Sequence, residues 1–285
     1  MAGEKDRGQG EKEPSPHLSD DEMEAVAEKK AESARVVHEA IRLQGQDELG
    51  RPILSLLLSA FAAGVGMSVS VLAETFLKLR LSATPAFELV SGFGYSVGFV
   101  IVVIGNLQLF TEQTVTAILP VATHPTLRNL GRLARLWSLV FVGNMLGTLL
   151  AAALMAWQVI LSPEQLGAAT DLSARLLTHD FTRTLLLAMP AGFLVGSIAW
   201  VLPSANSGEF WIVTVITYVI AIGGFSHVVA GAAEAWLLWL TGHASLGWAV
   251  GGFILPALIG NIIGGTGLFA VLAHGQVRQE IRPAR

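Results

Sequence analysis

Apolar residues in this chain gather into long blocks divided by short polar stretches, and two of the blocks are too long for one straight membrane helix. One covers residues 89–119 and is interrupted by GNLQLFTEQT (105–114); the other covers 210–240 and is interrupted by GGFSH (223–227). A helix rises about 1.5 Å per residue, so about thirty residues would reach roughly 45 Å. A bilayer core of about 30 Å needs only about 20 residues. Each over-length block is therefore predicted to be a helix with a break inside it. Broken backbone at membrane depth must face protein or a water-lined cavity, and a matched pair of breaks, one in each half of the chain, is the sequence sign of a transport site. With the remaining blocks the pattern predicts six spans, over 53–77, 89–119, 137–161, 185–202, 210–240 and 246–273.

The third and sixth blocks share a signature, GNMLG (143–147) and GNIIG (260–264). From Asn144 to Asn261 is 117 positions, and from Thr111 to His227, in the two breaks, is 116. Two features at nearly one offset predict duplicated halves of three spans each. An odd number of spans per half sets the halves in opposite orientations about a pseudo-two-fold in the membrane plane. Gly143 and Gly260 begin the paired motifs and read as positions of close helix packing. The fold class predicted is thus an all-α membrane protein with an inverted 3+3 repeat and broken second and fifth helices.

Ahead of the first block the pattern changes. Residues 1–17 read as a disordered tail. Residues 18–50 read as a cytoplasmic amphipathic helix: Ser19 and Glu22 make a capping box with Leu18 stapled to Met23, and Val26, Ala34, Val37 and Ile41 recur at helical spacing. Such a helix would lie along the membrane or against a neighbouring subunit, or else stand solvated without a partner, since periodicity alone does not choose between these. The channel domain follows over 51–275, and 276–285 form a cytoplasmic tail.

Composition supports a membrane protein, with 52% hydrophobic and 14% charged residues. The net charge of -4 arises mainly in the amino-terminal tail. There is no cysteine, which removes disulfides and thiol chemistry. No cleavable signal is visible, so the first span is expected to direct insertion. Orientation follows from basic residues near span ends. With the amino terminus inside, Arg35, Arg42, Arg51, Arg128, Arg132, Arg135, Arg278, Arg282 and Arg285 are cytoplasmic, leaving Lys78, Arg80, Arg175 and Arg183 outside. Both termini are therefore expected in the cytoplasm.

Candidate chemistry is concentrated at the breaks. His227 is the one histidine placed mid-span, where an ionisable group is costly and tends to face a pathway. Its imidazole can donate a hydrogen bond and exchange a proton near neutral pH, which suits a small weak acid. Thr111 offers a hydroxyl that donates or accepts. Leu109, Phe110 and Ile220, with Tyr95 earlier on the second span, would make apolar constrictions around a single polar station, although any one of them alone reads as ordinary packing. Glu112 beside an anion path would repel the substrate unless protonated or turned to the cytoplasmic mouth. Glu74 and Glu234 read as packing or interfacial groups.

These residues together resemble the formate/nitrite transporter family over about residues 35–275. The family's LFT element matches Leu109, Phe110 and Thr111, its GF-x-H element matches Gly224, Phe225 and His227, and its GN-x-x-G pairs match Asn144 and Asn261. The resemblance implies an aquaporin-like fold and a homopentamer with one pore per subunit. Several positions depart from the family pattern: Gln108 stands for an acidic residue, Glu112 for a small one, Gly192 and Gly231 for asparagines, and Ser226 for glutamate. The implied activity is passage of a small monovalent anion or its neutral acid, passive or proton-coupled through His227, in a bacterial inner membrane. An aquaporin-like pore for a neutral solute and a non-conducting sensor or scaffold are the alternatives. No nucleophile elbow, zinc-protease motif, P-loop or dinucleotide fingerprint is present, so no enzymatic activity is expected. No cofactor or metal is expected either; the partners are the small anion, the lipid bilayer and further copies of the chain, with no nucleic acid.

Overall fold

The computed structural model describes residues 33–81 and 87–278. The capping box at Ser19, the tail helix up to residue 32 and the last seven residues lie outside the described residues. Helix α1 (Ala34–Gly50) turns Val37, Ile41 and Leu49 inward against its own chain. Pro52 stands at the N-cap of α2 (Ile53–Met67), which passes through Ser68 into α3 (Val69–Leu81). Ser68 Oγ donates to the carbonyl of Gly64 at 2.9 Å, a back-bond that accompanies the irregular turn there.

Next come α4 (Phe87–Ile104), α5 (Phe110–Thr116), α6 (Ile118–Thr123) and α7 (Leu127–Ala156). Helix α7 starts ten residues before its apolar block, because Thr126 accepts from Asn129 N and the arginine-bearing turns continue the helix. Helix α8 (Pro163–Ser173) begins with a capping box between Ser162 and Gln165 and runs into a 3₁₀ turn, Ala174–Thr178. The second half holds α9 (Phe181–Val201), α10 (Glu209–Ile222), α11 (Val228–Leu240) and α12 (Trp248–Val277), the last with π-helical stretches over Trp248–Ile254 and Ile263–Ala270. Among the described residues, four helical segments are long and apolar enough to cross a membrane: Ile53–Leu81, Leu127–Ala156, Phe181–Ser204 and Trp248–Val277. The shorter apolar helices among the described residues are Leu89–Ile104, before the first break, and Glu209–Ile222 and Val228–Leu240, on either side of the second.

Both breaks have the same backbone. Helix α4 ends in a Schellman turn, with Asn106 N donating to Val103 O at 3.1 Å and Leu107 N to Val102 O at 2.9 Å. Helix α10 ends likewise, with Gly224 N donating to Ala221 O and Phe225 N to Ile220 O, both at 3.0 Å. The left-handed residues are Asn106 (φ 51°) and Gly224 (φ 61°). The chain then runs extended through Leu109 and His227, the N-cap residues of α5 and α11. The first break thus closes at Leu109 rather than at Thr114: Thr111 and Glu112 already belong to the first turn of α5, where a carboxylate complements the helix dipole. The second break falls at 223–227, as the sequence predicts.

Packing repeats in the same manner. Helix α2 lies along α7, and α9 lies along α12. A Cβ on Gly143 would run into Ala60, and one on Gly260 into Ala188; at Gly147 and Gly264 it would meet the carbonyls of Phe61 and Met189. The glycines of the two motifs therefore set how closely each pair approaches.

Candidate functional site

Asn144 and Asn261 fix the two extended strands of backbone from which the site is built. Asn144 Oδ1 accepts from Phe110 N at 2.9 Å, while its Nδ2 donates to Ala60 O and Gln108 O, both at 2.8 Å. Asn261 Oδ1 accepts from Val228 N at 2.8 Å, while its Nδ2 donates to Ala188 O at 2.8 Å and Ser226 O at 3.0 Å. Each asparagine is fully buried and satisfies backbone groups that the break leaves without helical partners. Each also grips the residues on both sides of one central position. That position is Leu109 in the first half and His227 in the second, which are 118 apart. Thr111 and His227, paired at 116 in the sequence reading, are contact partners and not equivalents.

His227 caps α11. Its Nδ1 accepts from Ala230 N at 3.2 Å, and its Nε2 lies 2.7 Å from Thr111 Oγ1. Because the backbone N–H can only donate, Nδ1 is the acceptor nitrogen and Nε2 carries the ring hydrogen in the neutral tautomer. The hydroxyl of Thr111 then accepts from Nε2. Both side chains are fully buried. Phe99 meets the imidazole edge-on with ring centroids 4.8 Å apart, and Tyr95 tilts against Phe99 at 5.2 Å.

A cavity of about 260 Å³ reaches His227, and Tyr95, Ile220, Phe225, Phe253, Arg175 and Glu234 are among its lining residues. A second, of about 420 Å³, is lined by Glu74, Lys78 and Asp171. The two share Arg175, Ala221 and Gly224 as wall. Of the residues singled out in the sequence, His227, Tyr95 and Ile220 line the first cavity. Thr111 stands behind His227. Leu109 and Phe110 are buried but do not line the cavity; the Phe110 ring meets Trp137 and Phe141 on α7 at 5.9 and 5.4 Å. Glu112 does not line it either.

Two departures from the family pattern have a steric reason. A side chain at Gly231 would collide with the ring of Phe253, and one at Gly192 with the backbone of Asn261. In this chain an aromatic ring occupies the space beside position 231, which makes that side of the cavity more apolar.

Sequence reasoning missed a charged cluster at the cavity wall. Arg175, in the 3₁₀ turn after α8, places Nη2 3.6 Å from Glu74 Oε2 and 3.5 Å from Glu234 Oε1. These residues come from three distant parts of the chain, and nothing local to any of them signals the meeting. No group of three or more His, Cys, Asp or Glu side chains suited to a metal occurs among the described residues.

The family model described as formate/nitrite transporter matches residues 35–275, and the chain belongs to that family. It is 37% identical over 254 residues to the inner membrane protein YfdC of Escherichia coli (strain K12), covering 88% of this chain and 81% of that one. It is 27% identical over 247 residues to the formate channel FocA of the same strain, covering 75% of this chain and 83% of that one. Among solved structures, a pentameric formate channel with formate bound superposes with a TM-score of 0.63 at 20% identity, over 80% of this chain and 98% of that one. An FNT family ion channel gives 0.64 at 19% identity, over 85% and 96%. At those identities the structural likeness concerns the fold.

Proposed function

We propose that this member of the formate/nitrite transporter family is a channel for a small monovalent anion or its neutral weak acid, with His227 and Thr111 as its polar station. The observation that carries the reading is the imidazole–hydroxyl contact of 2.7 Å at the inner end of an otherwise largely apolar cavity. Because Nε2–H is given to Thr111, an arriving carboxylate or nitrite oxygen would take that hydrogen in place of the hydroxyl, or accept from the hydroxyl, which still donates while it accepts from Nε2. The N-terminal end of α11 adds a favourable field for negative charge. Leu109, Phe110 and Ile220 are the apolar constrictions of this reading, and Tyr95 with Phe99 backs the station from the second span.

The six-span inverted repeat belongs to the same reading. Two short helices meeting end to end across each break make one span, which brings four uninterrupted spans to six. The duplicated asparagine brackets, the duplicated Schellman turns and the paired packing of α2 with α7 and α9 with α12 support it. The membrane of this reading is a bacterial inner membrane, in line with the name of the relative YfdC, and both termini face the cytoplasm, in line with the basic residues at span ends. Arg175 and its cavity then face outward. The chain assembles as a homopentamer, which the pentameric neighbour supports; native mass spectrometry of the solubilised protein is expected to give pentamers.

Protonation of His227 is not an easy route to a neutral acid. A proton on Nδ1 would displace the Ala230 N–H that caps α11. The station therefore serves as a hydrogen-bond donor through Nε2, with the proton supplied elsewhere. The reading is tested by uptake into proteoliposomes of formate, nitrite, acetate, lactate, hydrosulfide and glycerol, each at two pH values. Uptake of at least one anion above empty vesicles, without uptake of glycerol, is the expected result. Glycerol uptake alone would move the reading to a neutral-solute pore, and no uptake of any of them to a non-conducting scaffold.

A further inference from the structure

Among the described residues, Arg175 is the one cation within reach of two buried carboxylates. Glu74 on α3 and Glu234 on α11 are only 2% and 3% exposed. Arg175 touches both through the same nitrogen, Nη2, and among the described residues its Nε and Nη1 have no hydrogen-bond partner. Glu234 Oε2 is buried with no partner at all, and Glu74 Oε2 has only its ion contact. Two ionised carboxylates, both buried, against one half-exposed guanidinium leave one negative charge uncompensated, which burial disfavours. One proton shared by the pair removes that charge.

Among the described residues the surroundings supply no second cation. Lys78 on α3 is turned to Asp171 on α8 at 3.7 Å. Tyr95 from α4 and His179 and His227 on the cavity wall complete the titratable groups on that side. Helix α2 carries no charged residue. The arginines of α7 act far from the pair, Arg132 and Arg135 donating to Leu49 O. On α5, Glu112 lines neither cavity.

We propose that Glu74 and Glu234 hold one proton between them and give it to an anion entering the cavity, so that the neutral acid and not the anion meets His227. This rests on the channel reading above and supplies the proton donor it lacks. Glu234 follows His227 by seven residues on the same helix, about 10 Å along the axis, and both line one cavity with Arg175. In the transfer, the O–H bond of the protonated carboxyl breaks and a bond forms from that proton to a substrate oxygen. The carboxylate left behind stays beside Arg175. A hydronium ion from the outer solution, reaching Glu74 through the second cavity, restores the pair and leaves water.

Two measurements on the full chain in lipid bilayers test this. In pH-difference infrared spectra, the parent is expected to show a protonated carboxyl C=O band. That band should be lost in Glu74→Gln and equally in Glu234→Gln, because each variant leaves one carboxylate and one guanidinium as a neutral pair. No such band in the parent, or a band that survives in both variants, would overturn the shared proton. In formate uptake with a pH dye inside the vesicles, corrected for empty vesicles, the parent should carry formate with lumen acidification. Both variants should lose the acidification while still folding, as judged by pentamer recovery. Unchanged acidification in both would overturn proton delivery. A parent that moves no anion at all would sink the channel reading and with it the delivery step, while the infrared band would still decide whether the pair holds its proton.

Discussion

The two breaks, at 105–109 and 223–227, share one backbone and differ in the side chain at its centre. Each leaves its helix by the same Schellman turn through a left-handed residue, and each is gripped by an asparagine through two hydrogen bonds, a third tying that asparagine to Ala60 O on α2 or Ala188 O on α9. In one the central residue is Leu109, which caps nothing with its side chain; in the other it is His227, which caps Ala230 N and reaches Thr111. The scaffold is thus duplicated and the chemistry is not. The asparagines and glycines specify how the chain bends inside the membrane, while a single substituted position makes one bend polar and the other dry.

The comparison is broken most severely at the shared scaffold. Asn144→Ala orphans Phe110 N and Gln108 O, and Asn261→Ala orphans Val228 N and Ser226 O. At about 1–3 kcal/mol for each buried group left unpaired, either variant should lose about 2–6 kcal/mol. Thermal unfolding in detergent should show similar losses for the two; a large loss in one and none in the other would mean the brackets are not equivalent.

Making the second break resemble the first is the next test. His227→Leu removes the proposed polar station and the observed cap while placing there an apolar residue that the first break tolerates. A hydrogen bond to a charged group is worth about 1.5–3 kcal/mol, so anion flux should fall by roughly 10- to 100-fold. Pentamer recovery should remain close to the parent's, since a lost N-cap costs about 1 kcal/mol. Flux at the parent's level would make His227 a packing residue.

The smallest effects are expected at the left-handed positions, and they should differ in size. Gly224→Ala puts a Cβ at φ 61° and should cost about 1–2 kcal/mol. Asn106→Gly, at φ 51°, should change stability by no more than about 0.5 kcal/mol, since asparagine already tolerates that conformation. Equal effects would show that strain at the turn is not what selects these residues.

The over-length apolar blocks made both breaks legible in the sequence, and the repeated GN-x-x-G motifs identified the asparagines that hold them. That His227 lies at the second break was legible because an ionisable residue inside an apolar block is costly and marks an irregular place in the helix. The end of the first break was harder to read. Thr111, Glu112 and Gln113 look like a polar interruption, yet they form the first turn of α5, and two of the three are fully buried there. Polarity alone cannot separate a break from a polar half-helix. The start of α7 was hidden for the opposite reason, since Arg128, Arg132 and Arg135 extend a helix beyond the residues that the bilayer selects. Least legible was the Arg175 cluster. Its carboxylates sit on α3 and α11 and its guanidinium on a short turn after a polar helix, so only the tertiary packing brings them together.

The claim that His227 is the polar station of one of two otherwise matched breaks is tested most directly by solid-state ¹⁵N NMR of the histidine-labelled protein in bilayers. The His227 resonances are assigned by their loss in His227→Asn, and formate is then added. The account predicts an unprotonated Nδ1 and a protonated Nε2, with the Nε2 resonance moving as formate is titrated. A proton on Nδ1, or an Nε2 signal indifferent to formate, would contradict it.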